Sequence, residues 1–269
     1  MLALKLFIVP AFLLLLTLAG KRWGPSVAGW LAGLPVVTGP ILFFLAFEQG
    51  PVFASRAASA SLSAVLASVS FSLAYSHAAK RLPWPPSLLC GLAGWTTAAL
   101  LLSRLPASPY AALGVSLTTL LLAPRLFPAA RVQIASRPIT TLELGCRMLA
   151  GAILTVAVTV AAGAVGQAWS GLLAVFPILG IVLAAFSHQS QGGAFAAALL
   201  RGMVAGLYSF VAFCFLLAMA LPHMGITGAF LVAVAATIAV QLVSKRLLSR
   251  RSGERPSPVR EKSPTTRSQ

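Results

Sequence analysis

The chain has 269 residues, of which 58% are hydrophobic and only 9% are charged, whereas soluble domains carry roughly 25% charged residues. This composition excludes an ordinary soluble domain. A net charge of +16 at pH 7 would suit a nucleic-acid-binding protein, but the basic residues lie in short polar segments and in the C-terminal tail. That placement is typical of membrane proteins, whose cytosolic loops are rich in lysine and arginine, so we expect the lipid bilayer and no nucleic acid as a partner.

Apolar runs that can cross about 30 Å of hydrocarbon recur as far as residue 244. The first run is similar to a secretory signal, but Lys21 and Arg22 follow it directly, and positive charge at that place favours an uncleaved span. We therefore predict an all-α polytopic membrane protein. Its nine predicted transmembrane helices are at residues 3–20, 26–47, 53–78, 85–103, 108–123, 144–163, 167–187, 193–220 and 224–244.

Residues 1–246 are predicted to form one transmembrane domain. A basic, proline-rich cytosolic loop at 124–143 is the natural joint between two halves of this domain. Residues 247–269 are polar and rich in serine, proline and arginine, so we expect a disordered cytosolic tail. The basic start of the tail either contacts anionic lipid headgroups or only stops translocation of the chain.

The distribution of basic residues predicts the orientation in the membrane. An odd number of spans places the two termini on opposite sides. With the basic tail in the cytosol, the N-terminus lies outside, and seventeen of the 20 lysine and arginine residues fall on the inner side. Only Lys5, Arg56 and Arg104 fall towards the outside, as the positive-inside rule requires.

The chain also contains an internal repeat with an offset of 142 residues. Residues 28–54 align without gaps on residues 170–196. Identities that chance rarely produces between membrane helices are Pro35 with Pro177, Gln49 with Gln191, Gly50 with Gly192 and Phe53 with Phe195.

Equivalent spans of the repeat are five apart, which is an odd step, so the two halves should cross the membrane in opposite directions. We predict two inverted four-helix repeats, at about 1–105 and 144–246, with a connecting helix at 108–123 between them. Inverted repeats of this kind are common among secondary transporters.

The second half contains two characteristic apolar segments, SGLLAVFPILGIVLAAF (170–186) and ALLRGMVAGLYSFVAF (198–213). With Phe176, Pro177 and Arg201 at matching positions, these segments resemble the GlpM-like family of small bacterial membrane proteins. The first half departs from the pattern, with Leu34 and Ser59 at the equivalent positions. The resemblance implies a duplicated and fused version of a protein of the bacterial inner (cytoplasmic) membrane, and it implies an architecture rather than an activity.

Two prolines interrupt predicted helices at equivalent places. Pro35 lies about nine residues into the second span and Pro177 about ten into the seventh, which places both near the bilayer midplane. Each frees a carbonyl group four residues earlier, which must face protein, water or a ligand. Paired interruptions point to a transporter's binding site, although a packing kink explains them as well. The predicted substrate-binding residues are Leu31, Pro35, Thr38, Gly39, Pro177 and Gly180.

Polar residues end both interrupted helices, one end outside and the other inside. Such ends would suit symmetric gates, whereas the plainer interpretation is a polar helix end followed by a glycine cap. Arg201, about eight residues into its span, is either a buried functional cation or a side chain that extends to the inner surface. The predicted gating or charge-pair residues are Glu48, Gln49, Arg56, His188, Gln191 and Arg201.

Enzymatic chemistry has little support in the sequence. Glu48 and His188 are predicted on opposite faces of the membrane, so they cannot form an acid–base pair. The three cysteines, Cys90, Cys146 and Cys214, lack the spacing of metal ligands and are interpreted as small hydrophobic residues. We therefore expect no catalytic residue, no metal, no cofactor and no nucleotide-driven transport.

Two functions follow from these observations. The first is a secondary transporter or exporter that moves a small uncharged or weakly anionic solute through a midplane site at the broken second and seventh helices. The alternative is a non-transporting envelope scaffold or accessory protein for polysaccharide or lipid machinery. A transporter needs a wet cavity at the crossing, whereas a scaffold would close it with Val36, Val37, Ile178 and Leu179. An oligomer is compatible with both.

Overall fold

The computed structural model describes residues 2–104, 108–128, 140–164 and 176–253, without the side chains of 2–5, 162–164 and 245–253. All regular secondary structure in these ranges is helical, which confirms the predicted all-α class. In chain order the helices are α1 (Leu2–Trp23), α2 (Pro25–Ala32), α3 (Thr38–Glu48), α4 (Pro51–Ser63), α5 (Val65–Ala78), α6 (Trp84–Leu102), α7 (Pro109–Leu126), α8 (Thr141–Ala164), α9 (Ile178–Gln191), α10 (Gly193–Ala220) and α11 (Ile226–Gly253).

Six stretches of described helix are long and apolar enough to cross a membrane, which makes the chain compatible with a multi-pass integral membrane protein. They are Leu6–Trp23, Pro51–Ala78, Trp84–Leu102, Thr141–Ala161, Gly193–Ala220 and Ile226–Ser244. Of the other three predicted spans, the second is divided into α2 and α3, the fifth corresponds to α7, and the seventh begins among residues 165–175, outside the described ranges. The count of nine spans stays a prediction.

The predicted second span is interrupted at residues 33–37, between α2 and α3. Pro35 lies in this break and has no N–H to continue the helical hydrogen bonds. The amide of Leu34 donates to the carbonyl of Leu31 over 3.1 Å, and that of Gly39 donates to Pro35 over 2.7 Å. The interruption is therefore present as predicted. The Leu31 carbonyl, however, is not free, because the tight turn supplies a donor; its predicted counterpart at Leu173 lies outside the described residues.

Three described glycines, Gly24, Gly50 and Gly192, turn the chain between consecutive helices. Gly50 joins α3 to α4 with φ 90° and ψ 162°, and Gly192 joins α9 to α10 with φ 89° and ψ 166°. This backbone region is accessible almost only to glycine. Gly50 and Gly192 are 142 positions apart, as the predicted repeat requires, but Gly24 has the same conformation (φ 87°, ψ 170°), so the turn is a general feature of these helix junctions.

Helix boundaries recur with the same offset of 142 residues. The α4–α5 unit covers 51–78 and α10 covers 193–220, while α6 begins at 84 and α11 at 226. One difference is that Ala64 separates α4 from α5, whereas α10 is continuous. The direction in which each half crosses the membrane stays a prediction.

Helix α10 lies at the centre of the protein and packs against α2, α4, α5, α7, α9 and α11. Its closest neighbour is α2, because glycines four residues apart lie at their crossing: Gly29 on α2 and Gly33 directly after it, and Gly202 and Gly206 on α10. A Cβ atom built on Gly33 would lie 2.6 Å from Cα of Gly206, so backbone touches backbone. Small residues at this spacing allow such close packing of membrane helices.

Side-chain hydroxyl groups add hydrogen bonds between the helices. The Ser55 hydroxyl on α4 donates to the Ala218 carbonyl on α10 over 2.6 Å, and the Tyr208 hydroxyl on α10 donates to the Leu120 carbonyl on α7 over 3.0 Å. Each bond satisfies a polar group without a charge, as suits helices surrounded by lipid.

Helix α11 continues to Gly253, so residues 247–253, predicted to begin the disordered tail, are helical. The remainder of that tail, 254–269, and residues 129–139 of the predicted cytosolic loop lie outside the described residues.

Candidate functional site

A cavity of about 190 Å³ lies beside the break between α2 and α3. The first turn of α9 faces this break across the cavity, and α1, α5, α8 and α10 complete its wall. An apolar cavity of about 150 Å³ is large enough to hold benzene, so this one has room for a small molecule. The lining residues are Val9, Ala32, Gly33, Leu34, Val37, Thr38, Ile41, Val65, Ser68, Thr155, Val158, Thr159, Phe176, Pro177, Ile178, Leu179, Gly180, Met203, Leu207 and Phe210.

The cavity wall is apolar except for four hydroxyl groups, and no charged side chain is among the lining residues. The hydroxyls belong to Thr38, Ser68, Thr155 and Thr159. The Thr155 hydroxyl donates to the Gly151 carbonyl over 2.7 Å, so its oxygen keeps its capacity as an acceptor. Hydroxyl groups hydrogen-bond neutral molecules well but do not balance a full charge. The wall therefore suits an uncharged solute.

Three of the six predicted substrate-binding residues line this cavity: Thr38, Pro177 and Gly180. Leu31, Pro35 and Gly39 are not among the lining residues. The reason is the tight turn at 33–37, which places Leu34, Val37 and Thr38 against the cavity in their stead. Residues next to Pro35 and Pro177 itself thus line one cavity, while the predicted interruption of the seventh span borders on residues 165–175, outside the described ranges.

The predicted gating residues are spread over the ends of several helices. Glu48 and Gln49 are exposed at the end of α3, and Arg56 is exposed on α4; Glu48 and Arg56 form no ion pair with each other. Arg201 is exposed on α10, which favours the interpretation of a side chain extending along the surface over that of a buried cation.

The C-terminal end of α9 is held by polar contacts. His188 Nδ1 lies 3.2 Å from the hydroxyl oxygen of Tyr75 on α5, and Gln191 is the half-buried last residue of α9. Partial burial lowers the pKa of His188, because the surroundings disfavour the charged imidazolium. The contact between His188 and Tyr75 thus links the end of α9 to α5.

Sequence reasoning missed a buried arginine cluster, defined here as Arg147, Glu143, Thr17, Phe186 and Ser190. Arg147 on α8 is 4% exposed in its side chain and forms an ion pair of 2.5 Å with Glu143, one turn earlier. Its other amino group donates to the hydroxyl of Thr17 on α1 over 3.3 Å. Weaker contacts reach α9, at the Ser190 hydroxyl (3.4 Å) and over the Phe186 ring (5.8 Å).

The spacing of Glu143 and Arg147, four residues apart, is typical of an ion pair on one helix and was a usable signal. What the spacing cannot indicate is burial, which depends on α1 and α9 packing over the pair. Among the described residues, no group of three or more His, Cys, Asp or Glu side chains is placed to hold a metal ion, and the three cysteines are free.

Comparison with known proteins adds no relative: no protein-family model, no curated protein and no solved structure matches the chain.

Proposed function

We propose that the chain is a secondary transporter or exporter of a small, uncharged solute, which binds in the cavity between the α2–α3 break and the start of α9. The proposal places the protein in the bacterial inner membrane, as a fused inverted duplicate of the GlpM-like kind. The observation that carries it is the cavity itself, at the place where the sequence predicts two interrupted helices to face each other.

The chemistry of the wall supports this choice of solute. Four hydroxyl groups on three helix regions can exchange hydrogen bonds with a neutral polar molecule, while the apolar remainder contacts its carbon skeleton. A charged solute would have to lose its hydration shell without a counter-charge in the wall. Of the two solute classes that the sequence suggests, the cavity therefore favours the uncharged one over the weakly anionic one.

Accessibility of single cysteines tests whether the cavity is reached by water. The starting protein carries Cys90→Ser and Cys146→Ser, since these two cysteines are exposed, and keeps the buried Cys214. Thr38→Cys and Gly180→Cys each place a thiol in the wall. We expect a membrane-impermeant thiol reagent to label both from at least one side of the membrane, in intact cells or in inverted vesicles.

A matched pair on α5 controls for position. Ser68 lines the cavity, whereas Ser72, one turn later and 0% exposed, does not. Ser68→Cys should react and Ser72→Cys should not. Protection of all three cavity positions from both sides, with and without candidate solutes, would rule out transport and favour the scaffold function.

A further inference from the structure

The arginine cluster lies on the same three helices as part of the cavity wall, at their other end. Helices α1 and α8 pack against each other in opposite directions, with Leu13 against Gly151 between the two sites. Thr17 and Arg147 are each eight residues beyond the cavity residues Val9 and Thr155 on the same helices, a distance of about 12 Å. The arginine cluster therefore links α1, α8 and α9 about two helical turns from the cavity, towards the C-terminal end of α1.

Helix α9 connects the two sites directly. Its first turn, with Pro177 and Gly180, lines the cavity, and its last turn carries Ser190, which accepts a hydrogen bond from Arg147. The helix ends at Gly192, whose φ of 89° joins it to α10. The contact between Arg147 and Ser190 therefore holds the last turn of α9 against α8.

The contacts of Arg147 differ greatly in strength. The ion pair with Glu143 lies within α8 itself, while the bonds to Thr17 and Ser190, on other helices, are long at 3.3 and 3.4 Å. Nε of Arg147 is buried and has no hydrogen-bond partner among the described residues. A buried donor without an acceptor is costly. The cluster thus holds α9 weakly, and the charge stays satisfied by Glu143 when α9 moves.

We propose that the arginine cluster is the gate of the cavity at the end of the protein where α1 finishes, the cytosolic end in the predicted topology. In the state described here the gate is closed, because Arg147 links α8 to α1 and to α9. Passage of the solute requires Arg147 to release Ser190 and Thr17 while it keeps Glu143. This inference rests on the proposed function, since a gate has a role only if the cavity is used.

The test measures the labelling of Thr38→Cys from the cytosolic side in inverted vesicles. The double variant Glu143→Gln with Arg147→Gln removes both charges together, so no buried charge is left unpaired. We expect the rate of labelling from that side to rise about tenfold, within the range that coupling between two sites commonly spans. Arg125→Gln, which removes an exposed cation at the end of α7, should leave the rate unchanged.

A second variant guards against misfolding of the first. Thr17→Val nearly keeps the shape of the side chain and removes only the acceptor of one bond to Arg147. It should produce a smaller rise in the same direction.

Unchanged labelling in both variants, with Thr38→Cys still reactive from some side, would overturn the gate and leave the proposed function standing. If the double variant does not fold, the labelling rate in Thr17→Val tests the gate by itself: a rise supports the gate and an unchanged rate overturns it. Absence of labelling from both sides in the parent and in every folded variant would remove the proposed function and the gate with it.

Discussion

Gly50 and Gly192 each adopt a backbone conformation that a Cβ atom opposes, and each begins a new helix directly after a turn. Neither position is crowded, since an added Cβ would meet nothing within 4 Å. Glycine is thus needed at both positions because of the backbone conformation and not because of steric crowding. In the sequence these residues look like ordinary helix caps, and their shared role appears only in the two φ values.

Replacing Gly192 by alanine should destabilise the protein by about 1–3 kcal/mol, the usual cost of holding a residue with a Cβ in this region. Thermal unfolding in detergent measures the effect. Gly114→Ala on α7 is the matched control, because Gly114 is helical, has open space around it and has no positive φ. The control should be neutral or more stable by up to about 1 kcal/mol, since alanine favours helix. Equal losses in both variants would contradict the conformational argument.

Arg147 and Arg201 show that the burial of an arginine cannot be predicted from its residue type. Both lie within long apolar helices, and the sequence singles out Arg201. In the structure Arg147 is buried and paired, whereas Arg201 is exposed. The difference comes from the neighbours on α1 and α9, which are distant in sequence from α8.

At the scale of the helices, glycines at the crossing of α2 and α10 allow the two backbones to touch. The motifs GWLAG (29–33) and GMVAG (202–206) are visible in the sequence as glycines four residues apart. The motif predicts that each helix has a close partner but not which one. That choice depends on the tertiary arrangement, which brings Gly33 and Gly206 together across 173 positions of the chain.

Gly206→Leu should separate α2 from α10, because its Cβ alone would collide with the backbone of Trp30 and Gly33. We expect a loss of stability on the order of 1–3 kcal/mol, as for overpacked cores, measured by thermal unfolding in detergent. The control Gly114→Leu adds the same side chain in open space. A loss in Gly206→Leu no greater than in the control would mean that the helices separate without cost.

Over the whole chain, the offset of 142 residues relates sequence identities, helix boundaries and the two glycine turns. Helix α10 belongs to the second half, yet it packs against α2, α4 and α5 of the first. If the halves are as predicted, they are intertwined rather than side by side, and each contributes part of the cavity wall.

The predicted opposite orientation of the halves places Gln49 outside and Gln191 in the cytosol. Fusion of a reporter that is active only outside the cytosol should be active at Gln49 and inactive at Gln191, with the complementary result for a reporter active only in the cytosol. A fusion at Lys80, predicted on the inner side, serves as the reference. Activity of both test fusions on the same side would exclude an inverted repeat.

Local properties of the sequence predicted much of the fold. The length of the apolar runs indicates helices that suit a membrane, and proline and glycine indicate the interruption near Pro35. The placement of basic residues supports the same interpretation. Each of these features depends only on neighbouring residues or on the bilayer. The predicted site residues and the residues that line the cavity overlap only in part. Thr38, Pro177 and Gly180 were found, whereas Val9, Ser68, Thr155 and Met203 come from helices with no local signal of a site.

Tertiary structure alone decided which residues face each other. Arg147 is buried under α1 and α9, and Gly29 and Gly33 pack against α10. Membrane insertion depends on the sum of apolar residues in one segment, which a sequence displays. Burial, ion pairing and cavity lining depend instead on packing between segments distant in the chain, where each partner determines the surroundings of the other.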